Sequence, residues 1–490
     1  MEKARSSRAA LARGGAFGFI GAASSAVLGF LLTLMLTRLL GNVGAGVILQ
    51  ATGVFSLVLA LSKVGMDSTA IFLLPRLKKS APEEIRPTVH LMSVVAVGAS
   101  LIVATGLFFA APLLWGGQSA DLVSAIQAIA WFLPAGALLL VAAAALRALG
   151  GMREFVLTQQ IALPLLRPPA VALAFFATGS LLVVSMAWAL PLVMVLTVAL
   201  YLLWRRLGQY PAGPWLPEVS RGRELAAFAA PRTLAAGLEQ AITWLDVLIV
   251  GTILGTGAAG IYGGASRFIQ AGMLVDSALR VVVSPQLSSM VHEKRFDELR
   301  SLYATATTWL VLFASPIYVL MAIYSPTLMD ILGEGFAEGA GVVVVLAGGA
   351  CVTFLAGNIH TLLIMSGFSG WAAINKIIIV IVNVVANLLL LPHLGIIAAA
   401  LSWALCMVID AILAFIEVRH FLGLSLGVLS HLWPLLLVAL SVALPAFGVS
   451  KWLGQGLLSL AVACALSLIS FALTVVTCRK SLHLSGLRAR

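Results

Sequence analysis

Charge is the scarcest property of this chain. Of its 490 residues, 30 are Lys or Arg and 19 are Asp or Glu, 10% in all, where a soluble domain carries about 25%. That poverty, with 61% hydrophobic residues and a mean hydropathy of +1.08, excludes a soluble globular protein and sets an integral membrane protein in its place. Cysteine is nearly as rare. Cys351, Cys406, Cys464 and Cys478 lie in or at the end of apolar segments, with no CxxC spacing and no Cys/His cluster. Neither a disulfide framework nor a metal site is expected from them.

Catalytic signatures are missing too. No GxxxxGK motif followed by Ser or Thr occurs, so no nucleotide is expected in a P-loop. There is no nucleophile elbow, no HExxH and no DxD-like acidic pair at a membrane face. Connections are short, leaving no sizeable outer domain in which a catalytic site could assemble. A cofactor-free, non-enzymatic protein is expected.

What is present is a series of apolar segments long enough to span a bilayer. They fall near 15–39, 44–74, 88–113, 120–146, 155–178, 181–204, 225–254, 258–287, 299–325, 337–366, 370–391, 394–418, 427–447 and 454–478. The first follows a basic stretch but is too long for a signal-peptide core and reads as a retained helix. The net charge of +11 raises the question of nucleic acid, and its distribution answers it. With a cytoplasmic N-terminus, 22 of the 30 basic residues fall on the inside ends and loops, two outside, and six within the spans. This is the positive-inside pattern with both termini in the cytoplasm. The excess charge reports topology and contact with anionic lipid, and no nucleic-acid partner is needed.

The chain repeats itself. "LLGNVGAGVILQATGVF" at 39–55 aligns with "ILGTGAAGIYGGASRFI" at 253–269, pairing Gly41 with Gly255 and Gly46 with Gly260, and "LPRL" at 74–77 parallels "SPQL" at 284–287. Both copies start on the same side of the membrane, so the repeat is parallel, about an axis along the membrane normal. The expected architecture is an all-α polytopic protein of about fourteen transmembrane helices. Two six-helix lobes, 1–205 and 224–420, are joined by a proline-rich cytoplasmic linker, 206–223. An appended helix pair and basic tail make up 421–490. The glycines are read as sites of tight packing or turning.

Charges inside the spans mark the candidate site, because such residues normally face a bundle interior or a watery cavity. Arg232, Glu239 and Asp246 are seven apart and form one helical stripe about 21 Å long. Arg267, Asp276 and Arg280 lie in the next segment, the last two at i,i+4 spacing. Lys63 and Asp67 have the same spacing and can neutralise each other. Lys376, Asn383 and Asn387 share one face of the eleventh segment. The cations suit an anionic substrate in a central cavity, since Arg offers a planar fork for phosphate oxygens. Simple interhelical pairing is the competing reading. Glu239, Asp246, Asp276 and Asp67 are candidate sites for coupling to H⁺ or Na⁺.

Here the sequence resembles a known family. "TRLLGNVGAGVILQATGVFSLVLALSKVGMDS" (37–68), "SPQLSSMVHEKRFDELRSLYATATTW" (284–309), "ILGEGFAEGAGVVVVLAGG" (331–349) and "NVVANLLLLPHLGIIAAALS" (383–402) are similar to segments of polysaccharide-unit flippases of the Wzx type. These belong to the multidrug/oligosaccharidyl-lipid/polysaccharide (MOP) exporter superfamily, which also holds the MATE transporters. The resemblance implies a two-lobed transporter that turns undecaprenyl-pyrophosphate-linked oligosaccharides from the inner to the outer leaflet of the bacterial cytoplasmic membrane. The implied partners are that substrate, membrane lipids and polysaccharide polymerase machinery. Lipid II-type flippases cluster arginines in the first helix, whereas this chain has no charge between Arg13 and Arg38. A cation-coupled drug antiporter of the same superfamily would favour acidic and aromatic cavity walls. A membrane glycosyltransferase or polymerase would need a large outer loop.

Overall fold

The computed structural model describes residues 2–215, 217, 219–424, 427 and 432–477, without the side chains of 2–17 and 219–221. Cys478, the basic tail residues Arg479, Lys480, Arg488 and Arg490, and the N-terminal basic side chains lie outside the described residues. No strand occurs among those described. In chain order the helices are α1 Glu2–Ser62, α2 Met66–Ser80, α3 Ile85–Trp115, α4 Ala120–Ala130 and α5 Leu133–Ala148. They continue as α6 Met152–Phe155, α7 Leu163–Thr178, α8 Leu181–Leu207, α9 Val219–Leu254 and α10 Thr256–Gly272. Next come α11 Leu274–His292, α12 Phe296–Ile323, α13 Ser325–Leu332, α14 Ala340–Leu355 and α15 Ile359–Met365. Last are α16 Ser369–Leu394, α17 Ile396–Leu422, α18 Leu432–Leu453 and α19 Leu457–Thr477.

Twelve of these helical stretches are long and apolar enough to cross a membrane, and the pair α4–α5, bent by 47°, makes a thirteenth. The first stretch, 18–62, has 45 residues, about 68 Å at 1.5 Å per residue and twice the hydrocarbon thickness. Gly41 interrupts it with φ 66° and ψ −172°, a conformation that side-chain-bearing residues rarely adopt. Dividing α1 there gives fourteen spans, the number read from hydropathy. Met152–Thr178 and Ile396–Leu422, matching the segments near 155–178 and 394–418, are long and apolar enough to span. Within Met152–Thr178, a π-helical turn at Val156–Ala162 leads into α7, which carries Pro168 and Pro169. The 337–366 segment differs from one continuous helix. It breaks between α14 and α15 at Gly357, with φ 53°, and Tyr303 Oη caps the freed Ala356 carbonyl from α12, as backbone irregularity in a membrane requires.

The repeat has a structural counterpart. Gly255 (φ 93°) separates α9 from α10 as Gly41 divides α1. Both copies then break again, before α2 and before α11, and each second half contains its proline, Pro75 or Pro285. Gly46 and Gly260 meet reciprocally. A Cβ on Gly46 would lie 1.8 Å from the Thr256 carbonyl oxygen, and one on Gly260 would lie 2.0 Å from that of Asn42. The small residues therefore permit close backbone approach, as expected.

The helices sort into two compact units, Met1–Gly260 and Ile261–Arg490. In the first, α5 is central: Ala142 to Ala145 are all buried, letting neighbours approach closely. The half of α1 after Gly41, with α2, runs antiparallel to α9. Gln50 lies over Gly251, Trp244 over Gly53, Leu61 over Gly237 and the Ala229 carbonyl over Gly65. In the second unit, Tyr318 Oη donates to the Ile269 carbonyl at 2.8 Å and its ring covers Gly272. The last two helices are held by Tyr324, whose hydroxyl lies 2.9 Å from Ser459 Oγ.

Candidate functional site

In the first unit, the break after α1 places Lys63 Nζ 2.6 Å from Asp67 Oδ2, both largely shielded, so local spacing has produced a local ion pair. Along α9 the stripe runs from outside to inside: Arg232 and Glu239 are exposed and Asp246 is buried. Arg232 lies 5.4 Å over the Phe228 ring, Phe228 stacks on Phe72 with centroids 4.1 Å apart, and Arg76 caps the far face at 3.6 Å. Two rings between two guanidiniums thus join α2 to α9, an arrangement favoured by the negative face of each ring.

In the second unit, Arg280 pairs with Asp276 one turn earlier on α11. Arg267 on α10 donates Nη1 to Gln270 Oε1 at 2.7 Å. On α16, Asn387 is fully buried and donates Nδ2 to the Asn383 carbonyl at 2.9 Å and to its Oδ1 at 3.2 Å. Lys376, two turns before Asn383, is half-buried. The short-range pairs 63/67, 276/280 and 383/387 are thus brought together, while Arg267 and Arg280 keep separate partners.

Several polar groups were not singled out from sequence. His360 Nε2 on α15 lies 2.8 Å from Asp410 Oδ2 on α17. Asn375 Nδ2 on α16 donates at 2.8 Å to Glu417 Oε2, seven residues beyond Asp410. Asp410 sits alone in an apolar run and Glu417 reads as a helix end. The seven-residue spacing, the same as that of Glu239 and Asp246, was the available signal. In the first unit Arg167 of α7 lies 4.0 Å over the Trp188 ring of α8, and Trp188 stands edge-on to Phe55. Among the described residues no group of three or more His, Cys, Asp or Glu has the arrangement of a metal site. These groups can engage an oxyanion through guanidinium edges and can exchange protons or cations at buried carboxylates.

A family model described as polysaccharide biosynthesis protein matches residues 35–339. Among curated proteins, the chain is 27% identical over 172 residues to a probable low-salt glycan biosynthesis flippase, Agl15, of Haloferax volcanii, covering 35% of this chain and 36% of that protein. It is 23% identical over 177 residues to the probable flippase AglR of the same organism, 35% of this chain and 37% of that one. The chain thus spans little more than a third of the length of either relative. Among solved structures, the lipid II flippase MurJ in an inward closed conformation superposes with a TM-score of 0.75 at 12% identity, over 95% of this chain and 99% of that one. An inward-facing MATE multidrug transporter of the MOP superfamily superposes with a TM-score of 0.68 at 13% identity, over 81% and 94%. At these identities the structures speak to the fold, which is that of MOP transporters.

Proposed function

The chain belongs to the polysaccharide biosynthesis protein family, and from that premise we propose that it is a flippase for lipid-linked oligosaccharides, moving its substrate between leaflets by alternating access without making or breaking covalent bonds. The observation that carries the reading is where the family match falls. Residues 35–339 include five of the six intramembrane cations, Lys63, Arg167, Arg232, Arg267 and Arg280, and leave out only Lys376. A sugar linked through a diphosphate needs such cations, because a desolvated oxyanion binds most strongly to charged donors in bidentate geometry.

In its finer form the proposal is an undecaprenyl-pyrophosphate carrier, a bacterial cytoplasmic membrane, both termini in the cytoplasm and delivery to polysaccharide polymerase machinery. Arg232, Arg267, Arg280, Lys376, Lys63, Asn383 and Asn387 contact substrate, and the lobes 1–205 and 224–420 are the moving bodies. Glu239, Asp246, Asp276 and Asp67 are the carboxylates through which H⁺ or Na⁺ is coupled. Substrate drives the switch only through different affinities for the two states.

The test is translocation of a fluorescent pyrophosphate-linked oligosaccharide in proteoliposomes. Arg267→Ala should abolish transfer with insertion normal, and Arg267→Lys should restore part of it, since lysine keeps the charge and loses the fork. Wild-type rates from the Arg232, Arg267 and Arg280 alanine variants alike would make these arginines structural and remove the reading.

A further inference from the structure

Arg167 differs from two of the other intramembrane cations. Lys63 and Arg280 are paired with carboxylates four residues away, whereas Arg167 has no carboxylate at that spacing. Among the described residues its one polar or ring contact is with the Trp188 face, and its Nε is buried without a hydrogen-bond partner. Glu154, thirteen residues earlier, is held by Arg206 at 2.6 Å. The helices packed against α7 offer nothing else: between residues 18 and 62 α1 carries Arg38 as its one charge before Ser62, and α8 carries Arg205 and Arg206 at its far end. Arg167 is also deep. It sits 15 residues after Met152 and 11 before Thr178, the ends of its span, about 22 Å and 17 Å of helix.

The backbone around it is prepared for a polar group. The π-helical turn Val156–Ala162 ends five residues earlier, and such turns are frequent at functional sites. Pro164, Pro168 and Pro169 remove three N–H donors within six residues, weakening the helix's own hydrogen bonding where the guanidinium projects. Gln160, within that π-helical turn, has its Oε1 buried without a partner and packed over Gly21 of α1, an acceptor suited to a hydroxyl. Trp188 covers one face of the guanidinium and leaves its edge, the side that forks onto oxyanions.

We propose that Arg167 is an anion seat within the first unit, taking a phosphate or diphosphate oxyanion on its guanidinium edge. An intramembrane cation lacking a carboxylate calls for another polar partner, and with Nε buried the guanidinium edge is the side on which an anion can sit. The inference rests on the flippase reading only for the source of the oxyanion, the diphosphate of a lipid-linked sugar. An anionic phospholipid headgroup has the same chemistry.

The experiment uses the full chain in nanodiscs of phosphatidylcholine alone, titrated with inorganic pyrophosphate and read by thermal unfolding. Wild type should be stabilised saturably. Arg167→Gln should raise the midpoint concentration at least tenfold, Arg167→Lys by less, and Arg300→Gln, at the exposed start of α12, should leave it unchanged. A glutamine variant titrating like wild type overturns the proposal. If that variant fails to fold, the lysine variant decides by the same comparison. An Arg167-dependent shift produced by phosphatidylglycerol, to which pyrophosphate adds nothing, supports the seat and assigns its oxyanion to bilayer lipid. The two readings fail separately: pyrophosphate binding through Arg167 without oligosaccharide transfer removes the flippase, and transfer with Arg167-independent binding removes the seat.

Discussion

Gly46→Ala tests the glycine crossing at which the two repeat copies meet. The added Cβ would lie 1.8 Å from the Thr256 carbonyl oxygen and 2.9 Å from the Gly260 nitrogen, all backbone atoms, and contacts under 3.0 Å are not tolerated. No side chain can swing aside, so the helices must part by at least 3.0 − 1.8, about 1.2 Å. Gly260→Ala asks for 3.0 − 2.0, about 1.0 Å, at the same crossing. Overpacking of this kind costs about 1–3 kcal/mol, against which alanine returns roughly 0.5–1 kcal/mol of helix propensity. Each variant should therefore be destabilised by about 1–2 kcal/mol net. The double variant should lose less than the sum, because one separation relieves both clashes. Gly348→Ala in α14, where a Cβ meets nothing within 4 Å, is the control and should match or slightly exceed wild type. The assay is denaturant unfolding in detergent micelles. If Gly46→Ala and Gly260→Ala unfold with the control, the crossing is looser than described and the packing role of the repeat glycines is refuted.

Two further outcomes are expected. In the α11–α12 turn, Ser289 Oγ donates to Glu293 at 2.7 Å and Arg295 bridges Glu293 and Glu298, which holds the Glu293 carboxyl below its ordinary value of 4.5, the Ser289 bond contributing most. A depressed carboxyl stabilises the turn above its unfolded pKa and loses that contribution as pH falls through the folded one. Amide-exchange protection across 289–299, relative to intrinsic rates, should thus fall in wild type only once pH has dropped below the ordinary carboxyl value of 4.5, and Ser289→Ala should move that onset upward; an unmoved onset would deny the bond its part. For topology, external thiol labelling in a cysteine-free background should reach a cysteine at Glu334 and miss one at Ser80. The reverse pattern would invert the orientation drawn from the positive charges.

Read alone, the chain determined what depends on short spacing and on composition. Hydropathy alone reads as about fourteen apolar spans, because a bilayer accepts little else than apolar helix. Asp276 and Arg280, i,i+4 apart on one helix, had to meet, whereas Lys63 and Asp67, just as close in sequence, meet across the break between α1 and α2. Gly41 and Gly255 were visible as repeat partners, and their positive φ follows from the one residue type that tolerates it. The tertiary structure alone decided what depends on approach between distant segments. The ladder from Arg76 through Phe72 and Phe228 to Arg232 joins positions about 150 residues apart, and nothing in either segment names the other. The pairing of His360 with Asp410 is of the same kind. The break at Gly357 carries no proline, and the Tyr303 hydroxyl that caps its freed carbonyl comes from a helix 53 residues away in sequence. Arg167 is the sharpest instance. Its charge was legible, but whether a carboxylate neutralises it depends on which helices pack against α7, and among the described residues those helices bring it a tryptophan ring instead.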